Sequence, residues 1–184
     1  MKVLFLDVDG VLNGYSRVTG AVYFIAMKLG LLKLIMNHHD IFGVHTRKVK
    51  LLSKIVKATG CKIVLSSSWR FGWCVPYEQK DGHQKELVDK LNKYGIIIMD
   101  RTPIIEFNGS YSHRETEIRD WLSRHDNIES FVILDDEQFD LQGFIGKELV
   151  RTSNSDYIKG NWYENTGLKR KHVKQAIKIL NKHI

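Results

Sequence analysis

The sequence predicts an α/β fold, with a central parallel sheet covered by helices on both faces. Three observations predict it. Short, continuously apolar runs alternate with segments of helical periodicity, the pattern of strands buried on both faces and joined by crossover helices. Glycines close two of the helical segments. Aspartates and serines gather just after the apolar runs, at the carboxyl ends where ligands of such sheets bind.

The elements follow in order. "VLFLDV" at 3–8 is the first strand. In "TRKVKLLSKIVKAT" (46–59), Val49, Leu52, Ile55 and Val56 fall at helical spacing, and Gly60 stops the helix. "CKIVLSS" (61–67) is the second strand, 84–94 the next helix, closed by Gly95, and "GIIIMD" (95–100) the third strand. A helix is predicted over 112–125, with Ser112 and Glu115 at capping-box spacing and Ile118, Trp121 and Leu122 as its apolar face. "SFVILDDE" (130–137) is the fourth strand and ends in carboxylates; 146–153 is a short fifth. A terminal helix over 168–184 turns Val173, Ile177 and Leu180 inward.

The segment 14–45 breaks this rhythm. It stands where a short loop is normal, and it contains the apolar "AVYFIAMKLGLLKLIM". It reads as a small helical insertion capping the site, with an extra core helix as the alternative. The whole of 1–184 is then one domain, a length that suits one core.

Composition narrows the function. A 43% hydrophobic content supports a packed core, and a net charge of +7 favours phosphate-bearing or other anionic partners. Cys61 and Cys74 show no zinc-ligand spacing, which favours a reducing compartment. The first apolar run is short and carries Asp7, unlike a signal peptide. The stretch 29–36 is far shorter than the ~20 residues of a membrane span. The expectation is a cytoplasmic protein with no membrane partner. His38, His39 and His45 cluster, but adjacent histidines do not share a helix face and make a poor metal site.

The chemistry-bearing residues sit at strand ends. Asp7 and Asp9 follow the first strand, Ser66, Ser67 and Ser68 the second, and Asp135 and Asp136 the fourth. Carboxylates packed together repel and need a proton or a cation to coexist. Oxygen ligands without His or Cys suit magnesium, which suits phosphate chemistry. An aspartate can also act as a nucleophile and become an aspartyl-phosphate.

"DVDGV" at 7–11, the hydroxyl after the second strand and "LDD" at 134–136 resemble motifs of haloacid dehalogenase-like (HAD) phosphatases. "FLDVDGVLN", "IVLSSSWR", "RETEIRDWL", "FVILDDE" and a late Gly167-Leu168 look, in the same order, like the HAD domain associated with RNA-repair proteins. The resemblance implies a three-layer, Rossmann-like HAD fold and an Mg2+-dependent phosphomonoesterase. Asp7 would be the nucleophile and a metal ligand. Asp9 would be the general acid and then base, its main-chain carbonyl a second ligand. Ser67, ahead of the alternative Ser66, would hold a phosphoryl oxygen. Arg114 would stand where most of these phosphatases have a lysine; a pairing with Glu115 or Glu117 is the alternative reading, and Lys85 the other candidate cation. Asp135 would complete the metal site, supported by Asp136, with Asp140 as a substitute.

Asn13, Trp69 and Arg70 follow the catalytic strands and are candidate substrate contacts. Arg70 reads equally as a structural ion pair, and Trp69 with Trp73 as packing rather than base stacking. The resemblance and the basic charge favour a nucleotide or nucleic-acid terminal phosphate as substrate. A phosphorylated small metabolite is the rival, with a non-catalytic phosphate-binding module beyond it. A response-regulator receiver also clusters aspartates, but it would need one after the third strand, where only Asp100 stands. The basic, amphipathic 169–182 reads as a docked helix or a nucleic-acid contact.

Overall fold

The computed structural model describes residues 1–13, 25–31, 43–71, 82–107, 110–111, 113–153 and 167–182. Among them five strands form one parallel sheet: β1 (Lys2–Leu6), β2 (Lys62–Leu65), β3 (Ile98–Arg101), β6 (Ser130–Asp135) and β7 (Leu149–Arg151), in the order β3-β2-β1-β6-β7. Helices α1 (Thr46–Thr59), α2 (Gly82–Asn92), α3 (Arg114–Ser123) and α4 (Arg170–Leu180) cover it. The expected parallel sheet with helices on both faces is present.

Two apolar clusters show why. Leu4 and Leu6 of β1 pack with Leu52 and Ile55 of α1, Leu87 of α2 and Val173 of α4. Val3 and Phe5 point the other way, onto Ile118 and Trp121 of α3 and onto Leu141 and Phe144. The two-residue period of a strand sends alternate side chains to opposite faces. A central strand buried on both faces is therefore apolar at every position, as β1 is from Val3 to Leu6.

Boundaries differ where apolar character outlasts pairing. The first strand stops at Leu6 rather than at residue 8, because Val8 starts a turn: its carbonyl accepts from the amides of Val11, Leu12 and Asn13. Val8 stays fully buried, which is why it reads as strand. The predicted cap of α3 also shifts. His113 is the N-cap, without a side-chain cap bond, and Glu115 instead accepts from the Gly143 amide at 2.7 Å. Ser112 lies outside the described residues.

An antiparallel pair, β4 (Glu106–Phe107) with β5 (Ser110–Tyr111), was not expected. Its signal is the intervening Asn108-Gly109, the two-residue hairpin dipeptide. Most of the expected insertion at 14–45 lies outside the described residues, as do His38, His39, Trp73 and Cys74. Within the insertion, 25–28 is helical, with Ala26 buried and Ile25, Met27 and Leu29 exposed. Among the described residues no helix is long and apolar enough to cross a membrane.

Candidate active site

Backbone pairing continues past the strands and assembles the site. The Asp7 amide donates to the Leu134 carbonyl at 3.0 Å, and the Ser66 amide donates to the Leu6 carbonyl at 3.0 Å. Asp7 is thereby set between the end of β2 and the end of β6, where Asp135 stands. Carboxylate oxygens of Asp7, Asp135 and Asp136 lie within 4.8 Å of one another. Asp7 is 3% exposed and Asp135 is fully buried.

Gly10 is required here twice over. Its φ is +65°, in the left-handed region that favours glycine. A Cβ on it would lie 2.1 Å from Oδ2 of Asp136. The turn after β1 thus presses its backbone against the third carboxylate. Thr152 secures the same turn, its hydroxyl donating to the Gly10 carbonyl at 2.7 Å.

Arg114, the first residue of α3, supplies the cation. Its Nη1 bonds to Asp135 and lies 3.4 Å from Oδ1 of Asp7. Neither alternative partner competes for it, since Glu115 binds Arg119 and Glu117 binds Arg70. Lys85 pairs with Asp89 on the surface. Asp140 is also elsewhere, exposed and paired with His113 at 2.9 Å.

Asp9 lies outside the carboxylate cluster. Its oxygens accept from Asn13 Nδ2 at 2.7 Å and from the Trp69 indole at 2.9 Å. Asn13 Oδ1 in turn accepts from the Gly10 amide at 2.8 Å. Asn13 and Trp69, expected at the substrate, are the two groups that aim Asp9. Ser67 is fully buried, its hydroxyl shared between Asp7 and the Trp69 amide. Ser66 is equally buried, and its hydroxyl has no partner among the described residues.

Arg70 forms a buried ion pair with Glu117 and donates to the Ser66 and Ser67 carbonyls at 3.1 and 2.9 Å. It braces the serine turn from beneath. Thr152 escaped the sequence reading, and Glu117 entered it only as a possible partner of Arg114 rather than of Arg70. Glu117 had a usable signal, since it lies four residues before Trp121 and so shares the buried face of α3.

The electrostatics favour bound protons or a cation at this cluster. Burial pushes the Asp7 carboxyl well above the carboxylate range; Asp135 and Asp136 add to this, while Arg114 and Ser67 oppose it. Burial also raises Asp135, against Arg114 and the Glu137 amide. Burial, then Asp135 and Glu137, lift Asp136 from 3.8 to about 7. Burial alone would lower the Arg114 guanidinium, but Asp135 and Asp7 outweigh it and hold it above its ordinary value. One guanidinium does not neutralise three packed carboxylates. An oxygen-only donor set of this kind fits a hard divalent cation.

A pH dependence follows. Asp136 keeps its proton in the folded chain up to about pH 7, whereas the unfolded chain loses it near pH ~4. The folded state binds more protons across that window, so stability falls as pH rises through it. Without a divalent cation, the Tm should be several degrees lower at pH 8 than at pH 5.5. Asp136→Asn should reduce the difference, while Asp7 and Asp135, raised in the same direction, keep their share. An equal slope in both proteins, read by circular dichroism, would refute the assignment.

The family model described as HAD domain in Swiss Army Knife RNA repair proteins matches residues 3–160. The match takes in β1 from Val3 onward, β2 and β6, and every site residue named above. No curated protein and no solved structure matches the chain significantly.

Proposed function

The chain belongs to the HAD domain family of Swiss Army Knife RNA repair proteins, and on that premise we propose that it is a magnesium-dependent phosphomonoesterase acting through an aspartyl-phosphate. The observation that carries this reading is the cluster of buried Asp7 and Asp135 with half-buried Asp136, and Arg114 bonded to Asp135 beside Asp7. The metal ligands would be Asp7, Asp135 and the Asp9 carbonyl, with Asp136 in support. Bound there, Mg2+ would neutralise phosphoryl oxygens during displacement.

The chain's own residues supply the rest. Arg114 presents a planar, permanently charged donor beside Asp7, suited to a phosphoryl group. The Asp7 carboxylate attacks phosphorus, and the bond to the leaving oxygen breaks. Asp9, aimed by Asn13 and Trp69, gives its proton to that oxygen. In the second step Asp9 takes a proton from the water that attacks the phosphoaspartate, and Asp7 is freed. The Ser67 hydroxyl donates to Asp7 in the free site and turns its one proton to a phosphoryl oxygen when substrate binds.

A nucleotide or nucleic-acid terminal phosphate is the substrate this reading favours, given the net charge of +7 and the RNA-repair proteins in which the family is described. The test is phosphate release with magnesium from mononucleotides, 3′- and 5′-phosphorylated oligonucleotides and sugar phosphates. Magnesium-dependent release is expected, with the highest kcat/KM on a nucleotide or oligonucleotide. A preference for sugar phosphates would refute the substrate class. No release from any ester would refute the enzyme.

A further inference from the structure

A cavity of about 400 Å3 opens at the end of β3, lined in part by Asp100, Arg101, Thr102, Ile104, Arg124 and His125. Its volume is that of a small-molecule site, roughly 300–1,000 Å3. None of the site residues above lines it.

Its place follows from the sheet. The Thr102 amide donates to the Leu65 carbonyl at 3.0 Å, one residue before Ser66. The Arg101–Thr102 wall is therefore level with the carboxyl ends of the strands and two strands from Asp7, about 10 Å at the ~4.8 Å strand spacing, while the opposite wall, Trp121 to His125, lies toward the far end of α3 from Arg114, about 10–16 Å along the helix at ~1.5 Å per residue. Arg101 Nη1 donates to the Arg70 carbonyl at 3.3 Å, so the serine turn forms the boundary between the two.

Its chemistry favours an anion carrying a flat group. Asp100 is spent within the wall, Oδ1 on the Arg101 amide at 2.8 Å and Oδ2 on the Trp121 indole at 2.6 Å. Arg101 and Arg124 each hold five N–H donors. The contacts above take one from Arg101, and Arg124 meets Asp120 at 2.6 Å. The Thr102 hydroxyl is fully buried and has no partner among the described residues. Such a group is costly to leave unsatisfied. His125 stacks on Trp121 with centroids 3.7 Å apart, and its Nδ1 is fixed by the Trp121 carbonyl at 2.7 Å. The imidazole is thus a rigid, planar part of the lining, next to the apolar Ile104.

We propose that this cavity holds a nucleotide one or two positions along a nucleic-acid strand from the terminal phosphate. Its phosphodiester meets Arg101, Arg124 and the Thr102 hydroxyl, and its base lies against His125 and Ile104. The proposal rests on the phosphomonoesterase reading and narrows its substrate, since a sugar monophosphate has no second anion to reach this cavity.

The test compares wild type with Arg101→Gln, Arg124→Gln and Thr102→Val on two substrates, a terminally phosphorylated oligonucleotide and p-nitrophenyl phosphate. For the oligonucleotide, KM should rise about tenfold with either arginine variant, with kcat unchanged and a shallower salt dependence. For p-nitrophenyl phosphate neither constant should move. Thr102→Val removes an unsatisfied buried hydroxyl, so its Tm should hold or rise while the oligonucleotide KM still increases. Variants that match wild type on both substrates would overturn the subsite and leave the phosphatase intact. If wild type hydrolyses no ester, the phosphatase reading fails by itself, and binding of a labelled oligonucleotide by fluorescence polarisation decides the subsite. Weaker binding in both arginine variants upholds it; equal binding overturns it.

Discussion

Asp7→Asn should lower magnesium-dependent phosphate release by at least about 10^3-fold, because an amide cannot replace the carboxylate as nucleophile. The fold should survive. Asp7 is buried against Asp135 and Asp136, and an uncharged isostere relieves that repulsion while Arg114 keeps its bond to Asp135. Without added magnesium, the Tm of the variant should therefore equal or exceed that of wild type. Two measurements decide the role. Acid-quenched wild type should carry phosphate on protein in a hydroxylamine-labile form, as an acyl phosphate does, and the variant should carry none. A variant that turns over within about tenfold of wild type would remove Asp7 from the role of nucleophile.

The strand-end residues were legible because they depend on short-range order. An apolar run followed by a carboxylate fixes where Asp7 and Asp135 must lie once the strands are parallel and adjacent. The pairing Leu6↔Leu65 and Leu6↔Leu134 then brings Ser66 and Asp135 to either side of Asp7. The contacts that aim the side chains were not legible. Trp69 reaches Asp9 across 60 residues of sequence, and nothing in the local pattern separates an indole that holds a carboxylate from one that stacks on a base. The choice made by Arg114 is similar. Glu115 and Glu117 are its sequence neighbours, but the sheet edge offers two carboxylates at once, and Glu117 is turned inward to Arg70. The boundaries of β1 and α3 moved for a third reason. Burial and hydrogen-bond pairing end at different residues, and periodicity reports only burial. The β4–β5 pair was missed although Asn108-Gly109 marked it, since strands of two residues carry too little alternation to register.

Asp9→Asn should separate acid catalysis from binding. A nucleoside alkoxide is a poor leaving group and needs a proton as the P–O bond breaks, so removing the general acid should cost about 10^2–10^4-fold in kcat. p-Nitrophenolate needs little protonation, so the loss on p-nitrophenyl phosphate should be much smaller, at most about tenfold for the first step. The variant stays near its native position, because one side-chain oxygen still accepts from Asn13 or Trp69, although its NH2 group now faces the other donor. Any residual defect shared by both substrates then measures displacement and the lost base of the second step. Burst kinetics separate these effects. With p-nitrophenyl phosphate, the variant should release one equivalent of nitrophenol quickly and then turn over slowly, because the phosphoaspartate forms but water is no longer activated. An equal loss on both substrates, with no burst, would take proton transfer away from Asp9 and leave it only the proposed role of its main-chain carbonyl as a metal ligand.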